Sequence, residues 1–371
     1  MTNEYGVGLT KTFTNTLQYG YNKGNHSATV LLGHEAVSYD YTFLRGFNTS
    51  FEIESPTFTY LSAGAGEAPT VGGGGTAWGL LSYFGRVDYT LMNKYLVSAT
   101  VRRDQTSRFN DIGIFPAASI GWKVTEEEFL QSAVASGVLS DLKIRASYGE
   151  QGNQTAGDFS TLSIFGPNVG SSYYPLDGSN EAAAQGYAVL SKGNPDIKWE
   201  TTRQTNIGFD ASLFDYKLGL TVDYYIKNTS DILLGAPQIA ATGEGANPVF
   251  NIAEVRNSGI DLNLTYNYSH ANGLELSTSL QFTTFNNEVV GLGEGLAQIG
   301  NDGEEYIDAG FPSRYTVGQP MGVFYGHVVE GIFQTEEEVQ NHADQGAGAA
   351  VGRLKYQDLN GDGVIDDLDR T

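Results

Sequence analysis

Gly259–Tyr268 reads GIDLNLTYNY, and its alternation decides the fold class. Ile260, Leu262, Leu264, Tyr266 and Tyr268 fall on one side; Asp261, Asn263, Thr265 and Asn267 fall on the other. A period of two marks a strand whose two faces meet different surroundings. After His270-Ala-Asn-Gly273 the pattern resumes, with Leu274, Leu276, Leu280 and Phe282 opposite Glu275, Ser277, Ser279 and Gln281. The pair reads as a hairpin with one apolar and one polar face.

The same design recurs upstream. Ile207, Phe209, Ala211 and Leu213 alternate with Asn206, Gly208, Asp210 and Ser212; Tyr95, Val97, Ala99 and Val101 alternate with Leu96, Ser98, Thr100 and Arg102. Strands are expected at 14–21, 26–36, 79–91, 95–108, 114–124, 140–149, 201–213, 217–228, 257–269 and 274–287. Most approach the ~9–11 residues a tilted membrane strand requires, against ~5–6 in soluble sheets. Between strands 114–124 and 140–149, Thr125-Glu-Glu-Glu128 reads as a capping box before a helix with Phe129, Leu130, Ala133 and Val134 on one face. Thr335-Glu-Glu-Glu338 reads as the start of a second short helix.

The connections alternate in length. Short turns are expected at 22–25, 91–94, 214–216 and 270–273, and long loops at 37–78, 150–200, 229–256 and from 288 onward. Short turns at one end and long loops at the other are the habit of an outer-membrane barrel. In hydrocarbon every backbone group must be bonded within the protein, so a spanning sheet must close. Tyr89, Tyr95, Phe214, Tyr216, Tyr266 and Tyr268 sit near strand ends, where interfacial aromatics gather. The expected fold is therefore all-β, a partial antiparallel transmembrane β-barrel over residues 1–371. The rival is a soluble β-sandwich or solenoid, which alternates because one face is core.

Composition fits either. Among 371 residues there are 47 Gly, 22 Tyr and 19 Phe, a turn-rich and strand-rich mixture. The formal charge of −22 disfavours nucleic acid as a partner, since phosphate binding needs a basic surface. With no cysteine, disulfides, thiolate zinc sites and thiol nucleophiles are excluded. No apolar run is long enough for a transmembrane helix, and the first residues, MTNEYGVGLTKTF, do not read as a signal peptide.

Several segments together carry a family resemblance. They are Leu81-Ser-Tyr-Phe-Gly-Arg-Val87 with Lys94-Tyr-Leu-Val-Ser-Ala-Thr-Val-Arg-Arg-Asp104, Phe115-Pro-Ala-Ala-Ser-Ile-Gly-Trp122, and Leu142-Lys-Ile-Arg-Ala-Ser-Tyr-Gly149 with Gly152-Asn153. Asn194-Pro195 with Trp199-Glu200, Asn257-Ser-Gly-Ile260, Gly318-Gln-Pro-Met-Gly322 and Asp358-Leu-Asn-Gly-Asp-Gly363 follow in order. In this series, from about position 14 onward, the chain resembles the SusC/RagA group of TonB-dependent outer-membrane transporters. The resemblance implies a large barrel of roughly 22 strands with an N-terminal plug. It also implies contact with outer-membrane lipid, a SusD-like lipoprotein lid, energy from TonB acting through the plug, and a small nutrient substrate such as an oligosaccharide or peptide. No plug, TonB-contacting segment or closing strands are read in this chain. It is therefore expected to be a piece of a longer importer that would not transport alone.

The sharpest local motif is Asp358-Leu-Asn-Gly-Asp-Gly-Val-Ile-Asp-Asp-Leu-Asp369, at the spacing of a calcium loop. Asp358, Asn360 and Asp362 would supply side-chain oxygens at positions one, three and five, and Gly363 the sharp bend at six. The Val364 carbonyl, Asp366 and Asp369 would follow at seven, nine and twelve, with Ile365 packing the loop. Asp369 replaces the usual bidentate Glu, and the preceding Arg353–Gln357 alternates like a strand, so no helical hand is expected. An acidic turn without metal is the alternative. The parity of strands places residues 288–371 on the long-loop, extracellular side unless 321–333 forms another strand.

Other candidates carry less. Gly72–Gly75 and Gly291-Leu-Gly293 lack a P-loop context and read as loop tips. His26, His34, His270, His327 and His342 show no metal spacing. Arg102, Arg103, Lys143 and Arg145 are expected on the polar face, paired with acids or touching substrate. No catalytic residue stands out. The alternative function is a soluble, secreted calcium-binding β-sheet adhesin or glycan-binding module.

Overall fold

A computed structural model describes residues 1–53, 55, 60–167, 173–175, 183–235, 248–269, 273–293, 298–300 and 313–371. Its main element is a ten-stranded sheet: β1 (Thr2–Lys23), β2 (His26–Phe47), β3 (Thr70–Leu91), β4 (Tyr95–Thr106) and β5 (Ile112–Lys123), then β6 (Leu139–Asn153), β7 (Glu200–Leu213), β8 (Leu218–Gly235), β9 (Val249–Ser269) and β10 (Glu275–Gly291). Spatial order equals chain order throughout, the up-and-down meander of a barrel wall. All ten expected strands are present, in the expected sequence.

Turn chemistry fixes the short ends. Met92 and Asn93 (φ 53° and 55°) make a left-handed two-residue turn that matches strand twist, closed by Lys94 N–H on the Leu91 carbonyl at 3.0 Å. Phe214, Asp215 and Tyr216 are all left-handed and lean on Gly137, Val138 and Ser140, whose oxygens accept their three N–H groups. The turn at His270–Gly273 lies largely outside the described residues.

The strands are longer than alternation suggested, at the expense of the long loops. β2 continues to Phe47 and β3 begins at Thr70, so the loop expected at 37–78 shrinks to 48–69. Gly72–Gly75 are accordingly part of β3, opposite Arg45, Leu44, Phe43 and Thr42, and not a loop tip. Gly33 shows why glycine recurs within these strands. A Cβ there would lie 2.1 Å from the Phe84 ring, which occupies the space the missing side chain leaves.

Between β5 and β6 the chain forms two 3-10 turns, Val124–Glu126 and Glu128–Leu130, and the short helix α1 (Gln131–Ala135). The capping box expected at Thr125 does not form. Its hydroxyl donates to Asp141 at 3.0 Å across the hairpin instead. Of the expected apolar face, Phe129 is exposed, while Leu130, Ala133 and Val134 are half-buried.

Residues 253–257 and 286–371 form a second compact unit. It contains small sheets, with Val329–Ile332 pairing Leu354–Tyr356, and the helix α2 (Glu336–Asn341). Here the expected cap is present: Thr335 Oγ accepts from Glu338 N–H at 3.2 Å, and Glu338 reaches back to Gln334 N–H at 2.7 Å. Segment 321–333 supplies two short strands and adds none to the large sheet.

Candidate functional site: a two-faced wall and an acidic loop

Register turns alternation into surfaces. One row of mutually opposed residues across eight strands is Tyr21–Ala28–Tyr89–Val97–Ile120–Ala146–Ile207–Tyr224, aliphatic or tyrosine in every position. The adjacent row on the other face is Gly20–Thr29–Asp88–Ser98–Ser119–Ser147–Asn206–Tyr225, with no aliphatic side chain. Large apolar side chains of the first face are exposed, among them Leu17, Leu32, Val97 and Ile120 at 71%, 56%, 45% and 60%. A sandwich would bury them beneath a second sheet. An aqueous protein would gain roughly 1.5–3 kcal/mol for each such side chain it covered. The apolar face is built for lipid.

Its lower rim is an aromatic belt. The row below Tyr21–Ala28 contains Leu91, Tyr95, Trp122 and Ile144. The Tyr95 hydroxyl (2.6 Å) and Trp122 Nε1 (3.2 Å) both donate to Glu127 Oε1, and Lys94 Nζ lies 3.2 Å from Oε2. These donors, the tyrosine first, hold the Glu127 carboxyl below the usual carboxylate range. Four rows up, Asn15, His34, Tyr83, Arg103 and Ile114 oppose one another. That row lies roughly 23 Å above the short turn at ~3.3 Å per residue and ~40° tilt, the upper edge of a ~25 Å apolar band. Arg103 is thus on the outer face beside Val101 and Tyr83, contrary to the sequence expectation. Adjacent residues of a strand cannot share a face, and Arg102 takes the inner one.

The inner face is ionic and polar. Arg102 bonds Glu35 (3.1 Å), Asp104 (2.8 Å) and the buried Ser82 hydroxyl (2.8 Å), with its guanidinium 5.6 Å from the Phe84 ring centre. Arg145 bridges Asp210 (3.0 Å) and Asp223 (2.6 Å) on the next two strands. A concavity of ≈ 320 Å³ is lined there by Asp88, Ser98, Ser119, Lys143, Arg145 and Asn206. The expected pairing of lumen-type arginines with acids holds for Arg102 and Arg145.

Nearer the long loops, a small core of Phe109, Phe115, Ala156, Ile197 and Trp199 packs on this face. Both phenylalanine rings meet Trp199 edge-on, at 5.3 and 5.4 Å, and its Nε1–H donates to the Asp111 carbonyl at 3.1 Å. Asn194 Nδ2 donates to the Val249 carbonyl at 2.9 Å, and Glu200 accepts from Leu233 N–H and Asn153 Nδ2. The Asn-Pro and Trp-Glu segments therefore tie loop ends to strands, a role that spacing alone did not reveal.

In the second unit the acidic loop is organised by its own backbone. Asp358 accepts from Gly361 and Gly363 N–H, Asn360 from Asp362, Asp362 from Val364, and Asp366 from Leu368, each between 2.7 and 2.9 Å. Gly361 and Gly363 are left-handed (φ 76° and 86°), which the sharp bend requires. Asp369 is fully buried, and its oxygens accept from Leu359, Asn360 and Asp366 N–H. Those bonds, led by Asp366, lower its pKa. Ile365 is half-buried, and its N–H donates to the Asp344 carbonyl at 2.9 Å. Among the described residues no three His, Asp or Glu side chains converge as a ready-made metal group.

Comparison with known proteins agrees with the wall. Residues 2–364 match the family described as TonB dependent receptor-like, beta-barrel. The chain is 32% identical over 337 residues to TonB-dependent receptor P39 of Formosa agariphila, covering 88% of this chain and 30% of that protein. It is 29% identical over 296 residues to TonB-dependent receptor SusC of Bacteroides thetaiotaomicron, covering 78% and 28%. The solved RagAB peptide transporter superposes with a TM-score of 0.77 over 100% of this chain and 38% of that one, at 24% identity, which speaks to fold. The chain thus spans about a third of the length of the relatives it matches. With its lipid-type outer face, polar inner face and uninterrupted meander, the chain belongs to the TonB-dependent receptor β-barrel family of the outer membrane.

Proposed function

We propose that, in a complete receptor, this chain forms the wall of an importer that moves a nutrient such as an oligosaccharide or peptide across the outer membrane. TonB would supply the energy through a plug, and a SusD-like lipoprotein would cover the extracellular mouth. The observation that carries this reading is the pair of adjacent rows, one built of aliphatic residues and tyrosines and one without an aliphatic side chain. The chain's part is to exclude lipid on one side and present bonded ions and hydroxyls to a passage on the other. No catalytic step is assigned to any residue. Deleting the gene in the source bacterium is expected to abolish TonB-dependent uptake of one nutrient and leave passive porin substrates unaffected. A receptor that fractionates as a water-soluble monomer refutes the reading.

For the 358–369 loop we propose calcium binding by Asp358, Asn360, Asp362, the Val364 carbonyl, Asp366 and Asp369. The ligand spacing supports it, as do the side-chain-to-backbone bonds, which hold the loop bent while the carboxylate oxygens of Asp358, Asp362 and Asp366 each retain a lone pair. Calcium is expected to raise the melting temperature of the receptor, and chelator to reverse the rise. Asp358→Ala with Asp362→Ala is expected to abolish the effect; an unchanged calcium dependence in the double variant rejects the assignment.

A further inference from the structure

We propose that Tyr39, Tyr41 and Phe43 form a stacking ladder for the pyranose rings of a neutral glycan on the inner wall above the membrane. The inference rests on the importer reading and names the substrate class of that passage.

The ladder arises where the alternation of β2 changes phase. Within the lipid band Ala28, Val30 and Leu32 point outward. From residue 38 the outward positions become Ser38, Asp40 and Thr42, while the inward ones become Tyr39, Tyr41 and Phe43. Tyr39 lies about 14 residues beyond the short turn, roughly 35 Å above it at ~3.3 Å per residue and ~40° tilt. A hydrocarbon layer does not reach that height, so these rings line a wet vestibule instead of filling an apolar core.

Glycines let the rings lie flat. A Cβ on Gly6 would sit within 3 Å of the Tyr41 ring, one on Gly8 3.3 Å from the Tyr39 hydroxyl, and one on Gly74 2.9 Å from Phe43. The rings therefore spread over the bare backbone of β1 and β3. Tyr41 and Phe43 stack with centres 6.1 Å apart and 25° between planes. All three residues are half-buried, with part of each still open to solvent. Opposite Tyr39 on β3, Trp78, 5.9 Å away, is held by the Arg108 guanidinium 4.9 Å above its ring. Arg108 is itself paired with Asp158 at 2.6 Å, and Thr76 bonds the same carboxylate.

A row of flat aromatic faces edged by hydroxyls, with its nearest charges already paired, suits a ligand with apolar C–H faces, many hydroxyls and no net charge. A sugar chain has that chemistry. An extended peptide would instead seek free strand edges or unpaired charges. A glycine beside each ring adds a built-in control, because filling it tilts the ring without removing it.

The test uses the complete receptor in detergent, titrated calorimetrically with maltohexaose, cellohexaose, laminarihexaose and mannohexaose, and with hexaalanine as the peptide probe. At least one hexasaccharide is expected to bind. Tyr41→Ala and Phe43→Ala are each expected to weaken it about tenfold, the usual effect of truncating a central aromatic contact. Gly6→Val is expected to do the same at unchanged melting temperature, since only the tip of the Tyr41 ring must move. Leu44→Ala, on the outer face, is expected to leave affinity unchanged. Binding of no hexasaccharide, binding indifferent to the ladder variants, or ladder-dependent binding of hexaalanine overturns the proposal. Cells deleted for the receptor separate the two readings. TonB-dependent uptake lost without any glycan binding keeps the importer and discards the ladder; uptake unaffected for sugars and peptides alike discards both.

Discussion

Ala99→Arg, compared with Ser98→Arg one residue away, asks which face of the wall meets lipid. Ala99 lies in the outer row Tyr19–Val30–Val87–Ala99–Ala118–Tyr148, midway between the Tyr95/Trp122 belt and the His34/Arg103 row. Ser98 points inward, beside Asp88 and Ser119. An arginine on the lipid face at mid-bilayer costs about 2–4 kcal/mol, against roughly nothing for a lumen position. The expected ratio between the two variants is therefore about 30-fold to 900-fold in the folding equilibrium. Reversible urea unfolding of the receptor in lipid vesicles measures it directly. Ala99→Leu distinguishes lipid from a protein core: fluid acyl chains accept the larger side chain, whereas a packed interior would lose about 1–3 kcal/mol to overpacking. Equal destabilisation by both arginines, or a cost for Ala99→Leu as large as that for Ala99→Arg, refutes the assignment of faces.

Removing the guanidinium in Arg145→Met leaves Asp210 and Asp223 facing each other without a cation. The group is about a third exposed, so the loss is expected near 1–2 kcal/mol, below that of a fully buried pair; Arg145→Met with Asp223→Asn should recover part of it in the same unfolding assay. Glu127 titrates below the ordinary glutamate range, so its contribution to stability is present above that ordinary value and disappears as pH falls through the lowered folded one. Glu127→Gln should lower the melting temperature on the neutral plateau and converge with the unsubstituted receptor at the acid end, so that the acid limb flattens; an unaltered plateau and acid limb reject the Glu127 belt.

How much of this was readable from residues alone follows from where the physics is local. Ten strands were legible because lipid on one side and water on the other impose opposite chemistry on successive residues, as in Ile260–Tyr268. The strand ends were not, because β2 keeps a period of two after residue 36 while exchanging which face is polar. A search for one continuous apolar face stops there. Charge alone puts Arg102 and Arg103 on one face; parity along the strand separates them. Thr125 and Glu127 were beyond reach, since their partners Asp141, Tyr95 and Trp122 come from other strands. Gly72–Gly75 likewise acquires meaning only through register with Phe43 and Thr42. In the acidic loop, spacing anticipated the bend and its glycines. It did not reveal that Asp369 would be buried and bonded to three backbone N–H groups.

The exchange of faces in β2 also fixes how far the wall stands out of the bilayer. β2 has 22 residues, roughly 70 Å of chain at ~3.3 Å each, while a tilted strand crosses the membrane in ~9–11. The surplus must stand in water, and its outer surface, Ser38, Asp40 and Thr42, is polar as water requires. Two outward positions on one strand therefore have different neighbours: Val30, roughly 13 Å above the short turn, and Thr42, roughly 43 Å above it. This chain has no cysteine, so each can be marked by one substitution in a receptor whose remaining part is also free of accessible cysteine. A membrane-impermeant maleimide added to intact cells is expected to label Thr42→Cys and spare Val30→Cys, which should react only with a lipid-soluble maleimide. Labelling of both by the impermeant reagent would mean that the apolar rows are not covered by lipid. Labelling of neither would put the upper part of β2 inside the membrane or against another surface, and the vestibule, with the ladder it carries, would have to be abandoned.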